Sequence, residues 1–304
     1  MGKLTSLSAA IQNYVHPGDT LYAAGFTHLI PFAAGHEIIR QGLHDLVIAR
    51  ATPDLIYDQL VAAGCARKVI FSYMGNPGVG SLRIVRGELE AGRLEWEEYS
   101  HFSMITRLQA GAAGLPFLPM NPTAAGDLEK ANPQYRTIKD PYSDRDVVTV
   151  PALNPDVAIV HAQRADEIGN TQAWGLLGSQ KEVAFASKHV VVVVEEIVDE
   201  SVIRSDPNRT VIPNLVVDAV VHQPYGAYPS YVQGYYDRDN EFYLKWADLS
   251  RDEEKTKAWL DEWVYGVKDW AEYLAKLQEQ EPDIWQRLSS GEAYSHPVNY
   301  GEYK

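Results

Sequence analysis

The chain has 304 residues, 45% hydrophobic and 22% charged, which is enough for one large α/β domain or two smaller ones with a real core. Its formal net charge of −14 repels phosphate backbones and argues against nucleic acid as a partner, though local amides and a few arginines can still hold a phosphorylated ligand. The single cysteine, Cys65, excludes an intrachain disulfide, the apolar run at 190–194 is far too short to cross a bilayer, and the N-terminal segment has no long apolar stretch of the secretory kind. A cytoplasmic protein with no membrane partner is expected.

Leu4, Leu7, Ile11 and Tyr14 share one face and predict a helix over 4–14. After the His16-Pro17-Gly18-Asp19 turn, residues 20–24 read as a buried strand ending at Gly25. A helix over 31–41, a strand over 46–49, a helix over 53–63 and a strand over 68–73 follow. This alternation predicts βαβ units and an open, mainly parallel sheet flanked by helices. Further on, 146–151 and 157–162 read as strands continuing that pattern. The stretch 188–195, with five consecutive valines, reads as a central strand buried on both faces, and 215–221 as one more. Residues 121–143, rich in Pro, Asn and Asp and without a clean period, read as a long surface excursion. Trp259, Trp263, Val267 and Trp270 form an apolar stripe on a helical segment over 251–277. Residues 1–250 are thus expected to form the α/β domain. Residues 251–304 are expected to form a C-terminal helix and extended tail packing on it or on a partner.

Ligands of open parallel sheets bind beyond the C-terminal strand ends. Three such ends carry unusual loops. Gly25, with Phe26 and Thr27, sits where a strand end can turn backbone amides toward a ligand, or where a turn merely needs a glycine. The loop Met74-Gly75-Asn76-Pro77-Gly78-Val79-Gly80 is glycine-rich but matches neither a Walker A loop nor a dinucleotide fingerprint. The third is Glu97-Glu98-Tyr99-Ser100-His101. Here Ser100 is a good N-cap, Met104, Ile105, Leu108 and Ala112 recur at helical spacing, and Gly114 ends the helix. His101 then stands at the first helical position, where the helix dipole disfavours its protonation. A neutral imidazole there can donate to a developing oxyanion, and Glu98 beside it can complete a proton-transfer pair. On these residues alone, a capping histidine facing solvent is the simpler reading.

Other chemistries find little support. No His-x-x-x-His or Cys-x-x-Cys spacing suggests a metal site, and no Gly-x-Ser-x-Gly elbow suggests a hydrolase nucleophile. Cys65 closes an apolar helix and reads as a packed thiol. Glu195-Glu196, at the end of the valine strand, fits either a ligand contact or a surface pair.

Taken together, several segments resemble the class I coenzyme A transferases, most closely the alpha subunit of the glutaconate CoA-transferase branch. Gly18 to Thr27 followed by Pro31 is similar to the family's alpha-subunit signature, with Ala24 where the family usually has the first Gly of Gly-Gly-Phe. Glu98-Tyr99-Ser100 with the segment Ala113 to Pro119, His161 to Asn170, and Val217 to Ser230 carry the rest of the likeness, in order and at family spacing. The resemblance implies a ping-pong enzyme in which a Glu carboxylate attacks the acyl-CoA thioester and passes CoA to an acceptor acid. That Glu belongs to a Ser-Glu-Asn-Gly-like motif of a beta subunit, and no such motif is found in this chain. This chain would then be the alpha half of a hetero-oligomer. It would line the site with Gly25, Phe26, Thr27, Gly75, Asn76, Gly78 and Ser100, and use a CoA thioester as substrate with no permanently bound cofactor. His101 stands where the family commonly places a Gln that donates to the thioester oxyanion, and Tyr228 stands where the nearest relatives tend to have His. A CoA-thioester hydrolase or a ring- or C–C-cleaving hydrolase of the same fold, with His101 as base, is the alternative.

Overall fold

Residue by residue, the chain first lays down one half of a large sheet and then the other. The computed structural model describes residues 2–121 and 125–290. Strand β1 (Leu4–Thr5) leads into helix α1 (Leu7–Tyr14), which Ser6 caps through its hydroxyl. Then come β2 (Thr20–Ala23), α2 (Phe32–Arg40), β3 (Leu46–Ala49), α3 (Leu55–Ala62), β4 (Ala66–Phe71), α4 (Arg83–Glu90), β5 (Glu95–Glu98) and α5 (His101–Ala112). Strands β6 (Phe117–Met120), β7 (Arg136–Lys139) and β8 (Asp146–Pro151), with the short α6 (Leu128–Ala131), follow. The second half runs through β9 (Val157–Ala165), β10 (Thr171–Gln172), α7 (Gln180–Ala186), β11 (His189–Ile197), α8 (Glu200–Ser205), β12 (Thr210–Ile212) and β13 (Ala219–His222). Helices α9 (Asn240–Leu249), α10 (Glu253–Leu260), α11 (Trp270–Gln280) and α12 (Ile284–Arg287) close the described chain.

The main sheet has the order β1-β13-β11-β9-β2-β3-β4-β5, all parallel, with β10 and β12 appended by antiparallel pairing. The open, mainly parallel sheet read from the alternation is therefore what forms. The five valines of β11 are all buried between β13 and β9, each contributing on the order of 1.5–3 kcal/mol by leaving water. Strands β2 to β5 step outward in one direction and β9, β11 and β13 in the other. The order reverses between β2 and β9, where such sheets open a ligand crevice at their C-terminal edge.

Several readings need correction. Residues 4–5 are a strand rather than the first turn of a helix, because pairing with Val220 and Val221 of β13 outweighs the helical spacing of Leu4. The 146–151 strand does not continue the parallel sheet. It is the middle of a separate three-stranded antiparallel sheet, β6-β8-β7. Within the 121–143 excursion, where residues 122–124 lie outside the described chain, α6 and β7 form, and Asn132 and Tyr135 between them bond back to the start of α5. The last strand starts at Ala219, and Leu215 is highly exposed on a short tight turn. The 251–277 segment is two helices, since the chain breaks near Gly266 and Asp269 caps a new start through Glu272 N–H. The Trp259, Trp263, Val267 and Trp270 stripe is nonetheless buried. The expected tail from Gly291 lies outside the described residues. Cys65 is buried, and burial pushes its thiol up to about 12, as suits a packed side chain.

The C-terminal helices cover α2 through His36. Its ring meets Trp270 at 5.1 Å, Tyr273 at 5.3 Å and Trp259 at 5.9 Å edge-on, and its Nε2–H donates to Gln59 Oε1 at 2.9 Å. Burial, reinforced by Arg40, lowers its pKa from 6.5 to about 3. Below pH 6.5 the unfolded chain binds a proton here that the folded chain refuses until about pH 3. His36 therefore lowers stability by about 1.4 kcal/mol per pH unit as pH falls through that window. Buried Asp58, raised from 3.8 to about 6 by desolvation, acts in the opposite sense between those values. Comparing chemical denaturation of the wild type and His36→Gln from pH 7 to pH 4 isolates the histidine. The gap between the two curves should move in favour of the variant as pH falls, and curves that stay parallel would disprove the assignment.

Candidate active site at the strand ends

The loops after β2, β3, β4 and β5 stand side by side because those strands are neighbours. After β2, Gly25 adopts φ +118°, and a Cβ there would sit 2.7 Å from both the His28 and Leu29 carbonyl oxygens, so only glycine fits. The next turns are strained: Thr27 and Leu29 take φ of 55° and 57°, each costing on the order of 1–3 kcal/mol. Tertiary bonds hold them there. Ser230 Oγ donates to Thr27 O at 3.0 Å, and Leu29 N–H donates to Tyr231 O at 3.1 Å. His28, fully buried, accepts from Gln233 N–H at Nε2 and so carries its proton on Nδ1, which donates to Leu176 O. The 174–178 turn is thereby fixed beside Gly25 and Phe26.

After β5, Ser100 caps α5. Its Oγ accepts from Ser103 N–H at 3.1 Å and meets Ser103 Oγ at 2.8 Å, while its own N–H donates to Tyr135 OH at 3.2 Å. Asn132 Nδ2 donates to Glu98 O at 2.8 Å. The excursion thus braces the helix start. His101 opens α5, exposed on the chain, with Nε2 2.7 Å from Thr52 Oγ1 and the Phe26 ring edge-on at 6.3 Å. Partial burial lowers its pKa from 6.5, which adds to the helix-start effect and keeps the imidazole neutral at pH 7. A Thr52 hydroxyl that donates to Nε2 leaves the proton on Nδ1, free to be donated.

The structure brings His101, Phe26 and Thr52 together. Sequence reasoning misses Thr52, since a lone threonine after a strand carries no motif. Glu98 ends β5 and, among the described residues, forms no hydrogen bond with His101. Its neighbour Glu97 is bound by Lys68 Nζ at 2.6 Å, Tyr99 OH at 2.8 Å and Arg107 Nη1 at 3.6 Å. Burial alone would raise the Glu97 carboxyl, but these donors outweigh it and hold the carboxyl low. Gly75, Asn76 and Gly78 form a tight turn after β4. Asn76 O accepts from Val79 N–H at 3.2 Å, Pro77 follows Asn76, and Gly78 has φ 75°, the geometry of a type II turn. Of the Glu195-Glu196 pair, Glu195 is packed inside. It takes bonds from His161 Nε2 at 2.7 Å, Tyr236 OH at 2.7 Å and Tyr225 N–H at 2.6 Å, so it organises the interior. Tyr228 is buried and donates to Asp239 Oδ2 at 2.6 Å. Among the described residues there is no group of His, Cys, Asp and Glu suited to a metal ion, and no helix long and apolar enough to cross a membrane.

A parallel sheet with its crevice at a strand-order reversal, a strained glycine loop and a histidine at a helix start define an acyl-transfer type of site, and comparison with known proteins agrees. The Coenzyme A transferase family profile matches residues 4–223, and this chain belongs to that family. It is 48% identical to the alpha-type chain of 3-oxoadipate CoA-transferase from Pseudomonas knackmussii, over 92% of this chain and 99% of that protein. It is 37% identical to the corresponding chain of glutaconate CoA-transferase from Acidaminococcus fermentans, over 91% and 92% of the two chains. The crystal structure of glutaconate CoA-transferase from that organism superposes with a TM-score of 0.86, covering 95% of this chain and 96% of that one. The decarboxylase AibA/AibB superposes with a TM-score of 0.75 at 30% identity, covering 86% of this chain and all of that one.

Proposed function

We propose that this chain is the alpha subunit of a CoA-transferase that moves CoA from an acyl-CoA to a dicarboxylic acid, with the nucleophilic Glu supplied by a beta subunit. The observation that carries the reading is the neutral His101 at the start of α5, set against Thr52 and Phe26 at adjoining strand ends. Attack of a carboxylate on a thioester carbonyl puts negative charge on the carbonyl oxygen. A fixed, uncharged N–H donor at a helix start stabilises that charge without reorganising in the transition state. Gly25, Phe26, Thr27, Gly75, Asn76, Gly78 and Ser100 line the same end of the sheet, with Ser100 acting through the helix cap. Both CoA-transferase relatives are named for dicarboxylates, 3-oxoadipate and glutaconate, which supports a dicarboxylate acceptor here. CoA enters as substrate, no resident cofactor is needed, and the chemistry belongs to the cytoplasm.

The test is to co-express the chain with its beta-like partner and offer acyl-CoAs with and without acceptor acids, detecting new CoA esters by mass. New esters that form only with an acceptor are expected. Free CoA and acid released without an acceptor would replace transfer by thioester hydrolysis, and turnover by the purified chain alone would place the nucleophile in this sequence.

A further inference from the structure

The turn after β4 is held from beneath by a residue far along the chain. Arg238 is 2% exposed. Its Nη1 donates to Pro77 O at 2.9 Å, and its guanidinium lies over the Tyr243 ring with Cζ 3.8 Å from the centroid. Tyr243, also buried, donates through its hydroxyl to Asp54 Oδ1 at 2.9 Å, and Asp54 caps α3. Stacking on a ring fixed at its far end leaves the guanidinium little freedom. The bond to Pro77 O is therefore a fixed point for the turn.

The carbonyl it holds belongs to the central peptide of the type II turn, the unit whose orientation distinguishes type II from type I. That peptide is planar and trans, so the Pro77 C=O and the Gly78 N–H point in opposite directions. With the oxygen drawn onto buried Arg238, the Gly78 N–H faces away from the interior, on an exposed residue between the loops that carry Thr52 and His101. We propose that Arg238 is a positioning residue that locks the Asn76–Val79 turn so that the Gly78 amide donates to an anionic oxygen of a substrate, a CoA phosphate or a carboxylate of the acid. The inference rests on the transferase reading above. It adds a residue in the C-terminal third of the chain to a site otherwise built from the ends of β2 to β5.

The test uses the assembled alpha–beta complex and measures KM for the acyl-CoA donor and for the acceptor acid separately, together with kcat. Arg238→Met keeps the bulk of the stem but removes the donor. KM for one of the two substrates should rise about tenfold, the size of effect expected for one lost hydrogen bond, with kcat within about threefold of wild type. Which KM rises tells phosphate from carboxylate. Arg238→Lys, which can still donate but cannot stack as a plane, should recover part of the loss. Gly78→Ala alters the exposed turn without touching the interior, because φ of 75° is unfavourable for alanine, and should raise the same KM even where Arg238→Met does not assemble. Both KM values unchanged in an active complex, or a fall in kcat alone, would overturn the inference and leave the transferase reading intact. A wild-type complex that shows no transfer at all would overturn both.

Discussion

His101→Ala is expected to reduce turnover of the assembled enzyme by about 10²–10³-fold, the loss typical of removing one preorganised oxyanion donor. Assembly and melting temperature should stay near wild type, because the ring is exposed on the chain and its hydrogen bond is to a single hydroxyl. The effect should appear in kcat and in kcat/KM together, since the bond is strongest once charge has formed on the thioester oxygen. His101→Gln, which restores the residue the family commonly carries there, should recover most of the rate. Thr52→Val should cost much less, as it frees the imidazole to rotate without removing the donor. A His101→Ala complex that turns over at wild-type rates would remove the histidine from the mechanism and return it to its simpler role as a capping residue.

The second large effect is on stability. Helix α5 passes the loop before β9 at Gly111, where an added Cβ would lie 2.5 Å from Leu153 O, 2.7 Å from Asn154 Oδ1 and 3.1 Å from Ala186 Cβ on α7. The loop cannot easily retreat, because Leu153 N–H is bonded to Arg107 O at 3.0 Å, while Arg107 Nε holds Pro151 O at 3.1 Å. Gly111→Ala should therefore destabilise the protein by about 1–3 kcal/mol despite the better helix propensity of alanine. Gly87→Ala is the matched control. It also lies within a helix, α4, but its added Cβ would meet nothing within 4 Å. Relief of glycine's entropic cost should make that change neutral or stabilising by up to about 1 kcal/mol. Thermal melts in which both variants shift alike would show that the α5 contact is looser than described.

The parallel half of the sheet was legible because each of its strands is a short apolar run set off by turn residues. The Val190–Val194 run has no sensible place but a central strand. The pieces that misled are those whose fate is decided by partners distant in sequence. Leu4 satisfies a helical period, but two backbone pairings to β13 decide its conformation. The strand at Asp146–Pro151 looks the same whether it joins a parallel or an antiparallel sheet, and its neighbours β6 and β7 settle which. The helix break at Gly266 had a local sign in the Asp269 cap, which the apolar stripe masked. At the site, His101 was legible from its cap and helical spacing. Its Thr52 partner was not, since the contact exists only because β3 and β5 flank β4.

The pairing of β1 with β13 also constrains how the molecule is made. The first strand of the chain is hydrogen-bonded to the last, Leu4 opposite Val220 and Thr5 opposite Val221. During synthesis from the N-terminus, β2 to β5 can assemble early, but residues 4–5 have no partner until residue 221 has left the ribosome. Until then the leading strand is a free end and the growing sheet has an open margin on the side of β9 and β11. Completion of that margin waits on the longest loop closure in the sheet, the kind of non-local contact that slows folding. The protein thus reports its own completion: the strand made first is the one that marks the sheet as finished.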